Sequence, residues 1–514
     1  MTTSNTCILI VIIAYLCLVV YVGLKYSKTN ASSSDFYLGG RKLGPYVTAM
    51  SAEASDMSSY LLMGLPGLAY LSGLADVGWT IIGLAIGTYL NWLFTARRLR
   101  RYSQIIGAFT VPQFFSKRFH DDKNILSLIA AIVIIVFFVP YTASGFAACG
   151  KLFNSLFGLN YMTGMIIAAI VIIFYTTAGG FLAASTTDFI QSIVMSIALL
   201  FVVIFATITA GGIGAVVENA KALPGFFSMF TSYSEDTGTS TPYTFLTIIA
   251  TLSWGFGYFG MPHILLRFMA IEDEEKLHVS RRVASVWVVI AMGVAMAIGV
   301  IGRTLSANGT IETLTGSGTE NIIVKIADYI AGFGILPALM AGLVLAGILA
   351  STMSTADSQL LAASSSVSED LLKGFFHVNI SEKQSMFFAR AVVVVIAVLG
   401  IFIAQDPDSS VFGIVSFAWA GFGAAFGPII ILALYWKRTT VQGAIAGMAA
   451  GGISVFVWKY GLRPLGGAWD IYELLPAFFI NLIVAVVVSL LTREPDASVS
   501  EEFDLAASDQ KLTK

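Results

Sequence analysis

Ser51-Ala52-Glu53-Ala54-Ser55-Asp56-Met57-Ser58-Ser59-Tyr60, continuing Leu61-Leu62-Met63-Gly64-Leu65-Pro66-Gly67, is the stretch on which the fold turns. It lies inside an apolar run of about 46–71, long enough to cross a bilayer, yet its middle holds two acids and four serines, and Gly64 and Pro66-Gly67 follow. A bilayer span needs roughly 20 apolar residues. An acid at that depth is costly and marks a functional position by default. Proline and glycine in the same run interrupt the helix. Irregular backbone at membrane depth is tolerated only where it is buried in protein or lines a cavity.

Working outward, the same break recurs once. Trp254-Gly255-Phe256-Gly257-Tyr258-Phe259-Gly260-Met261-Pro262-His263 packs three glycines and a proline into the run 243–266. Between the two interrupted runs lie four uninterrupted ones. Thirteen candidate spans are read in all: about 6–24, 46–71, 74–95, 125–149, 160–178, 187–211, 243–266, 284–302, 336–356, 387–404, 411–435, 441–458 and 471–491. The spacing matches a transporter plan of inverted five-helix repeats, each opening on a broken helix, with the site at the midplane between the breaks. Close helix packing alone would account for small residues, but it leaves Asp56 unexplained.

The expected architecture is an all-α polytopic membrane protein of about 13 transmembrane helices. Residues 1–45 form a leading helix and first inner loop, 46–211 the first repeat, 243–435 the second, 436–491 two trailing helices and 492–514 a disordered tail. Composition agrees: of 514 residues 57% are hydrophobic and 12% charged, against about 25% charged in soluble chains, and mean hydropathy is +0.82. The runs are longer than the roughly ten-residue alternating strands of a membrane barrel. The near balance of 29 Lys+Arg and 31 Asp+Glu excludes a dedicated nucleic-acid surface. Cys7, Cys17 and Cys149 form neither a disulfide framework nor a zinc pattern.

Orientation follows from the basic residues. Met1 to Asn5 carry none, and no cleavage site follows the first apolar run, so this is a span and not a signal peptide. With the N-terminus outside and the C-terminus cytoplasmic, only Lys151, Lys221, Arg303, Lys325, Lys459 and Arg463 fall outside, and the other 23 of 29 fall inside. That count includes Arg267 and Arg390 at helix ends. The expected location is the cell (inner) membrane, multi-pass, with the lipid bilayer as surroundings and no protein partner implied.

The ninth span supplies the third element. It is read as ending in the hydroxyl-rich turn Ala350-Ser351-Thr352-Met353-Ser354-Thr355-Ala356-Asp357-Ser358. Ser351, Ser354, Thr355 and Ser358 share one helical face. Hydroxyls beside freed carbonyls make an oxygen site for a hard cation, and no His or Cys accompanies them to suit a transition metal. Serines bonding back to their own helix are the competing reading. Of the acids, Asp56 and Asp188 are the leading functional candidates. Asp357 is placed nearer the cytoplasmic end, Glu53 one turn from Asp56, and His263 is read as structural.

At these residues the chain resembles the sodium/solute symporter family. The carriers are Leu38-Gly39-Gly40-Arg41-Lys42-Leu43-Gly44-Pro45, the Ala54-Ser55-Asp56-Met57-Ser58 and Gly64-Leu65-Pro66-Gly67 runs, Trp254-Gly255, Gly257-Tyr258-Phe259-Gly260, Arg267-Phe268-Met269-Ala270, Met353-Ser354-Thr355, and Arg438 with Gly443-Ala444 and Gly447. The resemblance implies the inverted-repeat fold and Na⁺-coupled uptake of L-proline. It implies a sodium site on the backbone carbonyls of Ala54, Met57 and Ser351 and the hydroxyls of Ser354 and Thr355, with Asp56 as the coupling acid. It implies substrate contacts at Ser55, Tyr60, Gly64, Tyr141, Trp254, Tyr258 and Pro262. Asp188, Asp357 and Ser358, with Ser354, resemble a second cation position. Tyr60, Ser59 and Glu53 depart from the Trp, Gly and Gly of the carrier resembled, and Ser351 from the usual Ala. The same mechanism with another amino acid, a monocarboxylate, pantothenate or a sugar is the alternative. A cation channel would want a pore ring and a membrane enzyme a nucleophile–base or metal cluster, and neither pattern appears.

Overall fold

The computed structural model describes residues 2–26 and 32–508. Lys28, Lys511 and Lys514, counted above on the inner side, lie outside the described residues.

The chain opens with α1 (Thr3–Tyr26) and the short α2 (Ser33–Leu38). α3 (Pro45–Ser59) starts on a proline at its first position, where the missing N–H costs nothing and φ is preset. It ends where Ser58 takes φ 49, ψ −168. A π turn, Tyr60–Gly64, leads into α4 (Leu65–Ser72). The second span is therefore two fragments joined by a left-handed serine, a conformation that a non-glycine residue holds only when its surroundings impose it.

α5 (Leu74–Leu90), a π turn at Asn91–Thr95 and α6 (Ala96–Ile105) form one long element, followed by α7 (Val111–Arg118), α8 (Ile125–Phe157) and α9 (Tyr161–Thr209). α9 contains two of the candidate spans, divided by a kink at Gly180 (φ 64, ψ −161) that only glycine adopts without strain. After α10 (Ile213–Ala222) comes an antiparallel hairpin, β1 (Thr231–Ser234) with β2 (Thr239–Pro242). The seventh span is α11 (Phe245–Leu252), a 3₁₀ stretch Ser253–Phe259, and α12 (Pro262–Ala270). Its glycines allow contact that no side chain permits: a Cβ on Gly87 would lie 2.4 Å from Gly255 Cα. α13 (Leu277–Ala307), α14 (Ile322–Ala331), α15 (Ile335–Ser365), α16 (Glu382–Ile403), α17 (Val411–Tyr435), α18 (Val441–Phe456), α19 (Leu474–Leu491) and α20 (Ala497–Ala507) complete the chain.

Among the described residues ten helices are long and apolar enough to cross a membrane, by length and composition. The two broken spans are not among them, because each is cut into pieces. α3 packs against α9, α12, α13 and α15.

Three expectations are corrected. The ninth span does not end near Ser358: α15 runs on to Ser365, and Ser351 to Ser358 sit in its buried interior, because neighbouring helices satisfy the polar side chains that lower its hydropathy. Asp357 accordingly lies in that interior, fully buried, and not toward an end. The tail expected to be disordered contains α20, held by Arg101, which donates from Nε to the Ala506 carbonyl (3.3 Å), and by Lys437, which pairs with Asp504 at 2.6 Å.

Candidate functional site

The two breaks face each other. The Ser58 kink turns the Asp56 and Met57 carbonyls out of the α3 ladder: Tyr141 Oη donates to the Asp56 carbonyl (3.2 Å), while the Met57 carbonyl accepts from the Tyr60 N–H. On the opposite side, Tyr258 of the 3₁₀ stretch donates to Asp56 Oδ2 at 2.7 Å. Asp56 thus ties the two broken spans together and is itself buried.

Next to this tie lies a narrow cavity, with free room for about one water molecule, lined by Asp56, Met57, Tyr60, Leu84, Tyr141, Trp254, Met292, Val415 and Trp419. Four of these nine residues are aromatic. Tyr60 and Trp254 stack at 5.6 Å, and Trp254 stacks on Trp419 at 6.2 Å and on Tyr472 at 5.0 Å. Trp419 Nε1 donates to the Trp254 carbonyl at 2.8 Å, one of the carbonyls the 3₁₀ stretch leaves open. Phe412 covers one end, 5.7 Å from the rings of both Tyr60 and Trp254. Phe412 is itself fixed by Glu320, which accepts the Phe412 and Val411 N–H groups (both 3.1 Å) at the N-terminus of α17 and pairs with Lys151 at 2.8 Å. A carboxylate at a helix N-terminus meets both open donors and the helix dipole. An apolar ring with a small charged end suits such a chamber: aromatic faces for the ring, open carbonyls and half-helix N–H groups for the charges.

Of the residues assigned to the substrate, Tyr60, Tyr141 and Trp254 line the cavity, with Asp56 beside them. Tyr258 stands behind it, holding Asp56 and meeting Trp419 edge-on at 5.1 Å. Ser55 turns back to the Ala52 carbonyl (3.0 Å), Gly64 lies under Phe412, and Pro262 begins α12, so none of these three lines the cavity. Leu84, Met292, Val415, Trp419, Phe412 and Tyr472 were missed. Gly257 carried a signal for one of them, since a Cβ there would lie 1.9 Å from Trp419 Nε1, but nothing in the sequence says what a glycine makes room for.

Of the oxygens assigned to sodium, those of Ala54, Ser351, Ser354 and Thr355 come together, with Ser354 and Thr355 also bonding back to their own helix. Ser354 Oγ donates to the Ala54 carbonyl at 2.8 Å and to the Ser351 carbonyl at 3.1 Å, and Thr355 Oγ1 donates to the Ser351 carbonyl at 3.2 Å. The Met57 carbonyl lies one turn on from Ala54 along α3. All of these residues are buried. Carbonyls and hydroxyls at a helix break form a neutral oxygen set that fits a hard monovalent cation.

The second cation position holds a different arrangement. Arg267, expected at a helix end, is 1% exposed. Its guanidinium bonds Asp188 Oδ2 (3.0 Å), Ser51 Oγ (3.0 Å), Ser358 Oγ and the His263 carbonyl (2.9 Å). Ser51 also donates to Asp188 Oδ2 at 2.6 Å, and Asp357 accepts from Ser358 (3.0 Å) and Tyr175 (2.9 Å). Asp188, Asp357 and Ser358 are therefore brought together, but the positive charge among them belongs to the chain. His263 is fully buried, its ring 5.6 Å from Phe138.

Comparison with known proteins bears on the fold and the family. The profile of the "Sodium:solute symporter family" matches residues 36–451. The chain is 42% identical over 499 residues to the sodium/proline symporter of Haemophilus influenzae, covering 96% of this chain and 95% of that one. It is 40% identical over 503 residues to sodium/proline symporter 2 of Staphylococcus saprophyticus, with the same coverage. Among solved structures, a Na⁺-coupled sialic acid symporter in a substrate-bound outward-open state superposes with TM-score 0.77 at 19% identity, covering 95% of this chain and 99% of that one. A nucleobase-cation-symport-1 family transporter in a closed conformation superposes with TM-score 0.56 at 14% identity, covering 93% and 99%. This chain is therefore a member of the sodium:solute symporter family.

Proposed function

We propose that this protein is a secondary active symporter that imports L-proline together with sodium by alternating access, in the cell membrane. The observation that carries the reading is the Ser354–Ala54 contact: the hydroxyls of α15 close on carbonyls at the break in the second span, beside a cavity lined by Tyr60, Tyr141, Trp254 and Trp419. The curated relatives that match over nearly their whole length are named for proline and sodium.

In this reading sodium is cargo. It is bound by the carbonyls of Ala54, Met57 and Ser351 and the hydroxyls of Ser354 and Thr355, and it draws α3 onto α15. That completes the wall formed by Tyr60 and Tyr141, so the substrate binds better once sodium is in place, and reciprocity requires the converse. Proline lies with its ring against Tyr60, Tyr141 and Trp254, and Asp56 transmits the state of one broken span to the other through Tyr258. The Glu320–Lys151 pair holds Phe412 over the chamber on one side. Thirteen crossings, in two inverted repeats with a leading and two trailing helices, put the N-terminus outside. One inward charge yields ~2.3 kcal/mol per 100 mV, and a tenfold sodium gradient adds ~1.4 kcal/mol. The sum of ~3.7 kcal/mol concentrates a neutral zwitterion about 500-fold.

The test is uptake of labelled proline into proteoliposomes with and without an inward sodium gradient, against a panel of amino acids, monocarboxylates, pantothenate and sugars. Uptake that is unchanged when choline replaces sodium ends the sodium reading. A competitor that outdoes proline reassigns the solute and leaves the mechanism.

A further inference from the structure

Apart from the Asp56 oxygen that meets Tyr258, the second and third spans carry buried oxygen that the mechanism above does not use. Glu53 and Asp56 stand one turn apart on α3 and so share a face. Facing them, Asn91 opens the π turn of the third span, a distortion that recurs at functional sites, and Thr88 adds a buried hydroxyl one turn before it. The two elements are linked directly, by Trp92 Nε1 donating to Glu53 Oε1 at 3.0 Å, and through the seventh span, where the Tyr258 carbonyl accepts from Asn91 Nδ2 at 3.0 Å and Tyr258 Oη donates to Asp56 Oδ2 at 2.7 Å. Among the described residues four oxygens of this group remain without a hydrogen-bond partner: Glu53 Oε2, Asp56 Oδ1, Asn91 Oδ1 and Thr88 Oγ1. Their residues are 1%, 5%, 1% and 0% exposed.

Buried carboxylates are ordinarily paired or bound to metal. Among the described residues neither Glu53 nor Asp56 has an ion-pair partner. The single sodium of the proposed function, on a largely neutral oxygen set, balances one of these two charges and leaves the other. We infer that Glu53, Asp56, Asn91 and Thr88 form a further alkali-cation site, between the second and third spans, so that this chain binds two sodium ions. The donor set is two carboxylates, an amide oxygen and a hydroxyl, which is hard-cation chemistry without a nitrogen or sulfur ligand. With two sodium ions and two carboxylates, the group is neutral. The inference rests on the sodium-coupled reading above but on different atoms, so the two can fail separately.

The experiment counts labelled sodium bound at equilibrium by the purified full-length protein in nanodiscs, with proline present. Two ions per chain are expected for the wild type. Glu53→Gln should bind one, and Ser354→Ala/Thr355→Ala should also bind one, each losing a different ion. Asn91→Leu removes an oxygen without touching a charge and should weaken only the further site, at least tenfold, which serves if Glu53→Gln is poorly folded. One ion in the wild type overturns the inference and leaves the proposed function standing, as neutralisation of Glu53 by a proton would do. Two ions retained in Glu53→Gln or an unweakened pair in Asn91→Leu overturns it as well. No sodium bound by the wild type sinks both.

Discussion

Two groups of buried acids lie on opposite faces of α3, and they are balanced in different ways. Asp188 and Asp357 have a cation built into the chain, because Arg267 reaches into their midst with bonds to Asp188, Ser51 and Ser358. Glu53 and Asp56 have none: they take a single N–H and a single O–H between them. A tethered guanidinium cannot be exchanged with solution, whereas an unpaired carboxylate must be served by something that can. On the proposed reading the first cluster is architecture, joining the second, seventh and ninth spans, and the second is where transported charge acts. The predictions below break or sharpen that contrast.

The largest effect is expected at Asp56. Asp56→Asn keeps the shape and an acceptor for Tyr258 but removes the charge, and should abolish sodium-driven proline uptake, while Asp56→Glu retains part of it. Uptake at wild-type rate by the Asn variant would reduce Asp56 to a neutral hydrogen-bonding role.

Arg267 should report on stability more than on affinity. Breaking a buried ion pair by removing one partner costs about 3–5 kcal/mol, because the other charge is left uncompensated. Arg267→Gln should thus lower the thermal stability of the purified protein sharply. The double variant Arg267→Gln/Asp188→Asn should recover most of the loss. A single variant as stable as the wild type would mean that the cluster tolerates a mobile cation after all, and the contrast with Glu53 and Asp56 would vanish.

Ser354→Ala and Thr355→Ala come next. Each removes a buried oxygen, a loss of about 1–3 kcal/mol. Each should raise the sodium concentration for half-maximal uptake by roughly 5–100-fold, with expression intact. Unchanged sodium dependence in the double variant would put the cation elsewhere.

This ordering also marks how far the sequence could be read. The break in the second span was legible because Asp56, Gly64 and Pro66 each violate what a lipid-facing helix allows, and the seventh because Gly255, Gly257, Gly260 and Pro262 do so together. Arg267 was misread because a basic residue near a helix end ordinarily extends toward water. Here Asp188, 79 residues away in the chain, draws it inward, and no local pattern contains that. The length of α15 was hidden for a similar reason: Ser351 to Ser358 look like a terminus by hydropathy, and only Ala54, Tyr175 and Arg267 on other helices make them an interior. The hairpin at Thr231–Pro242 and helix α20 were missed because their segments are short and polar, and α20 depends on Arg101 and Lys437 for its place. The chamber's aromatic wall was half legible. Tyr60, Tyr141 and Trp254 sit beside the breaks, but Trp419 and Phe412 come from an unbroken span with nothing to distinguish them.

The smallest effects concern that wall, and they separate the ring-binding part of the chamber from the charge-bearing part. Trp254 contacts Tyr60, Phe412, Trp419 and Tyr472, so Trp254→Ala removes the centre of the aromatic cluster and should raise the proline concentration for half-maximal uptake at saturating sodium. A central aromatic contact is worth about 2 kcal/mol or more, so roughly 30-fold is expected. Tyr60→Trp should do much less. Tyr60 Oη has no hydrogen-bond partner, so the phenol is used here as a flat surface, and an indole offers a larger one. The neighbouring rings of Trp254 and Phe412, at 5.6 and 5.7 Å, are stacked and can shift in parallel. Proline affinity should stay within a few-fold of wild type or improve, and the sodium dependence should not move, because Tyr60 touches no atom of the Ala54–Ser354 contact. A Trp254→Ala protein within a factor of two of wild type, or a well-expressed Tyr60→Trp protein without uptake, would show that the ring does not lie against this wall and that proline is held chiefly by its charges.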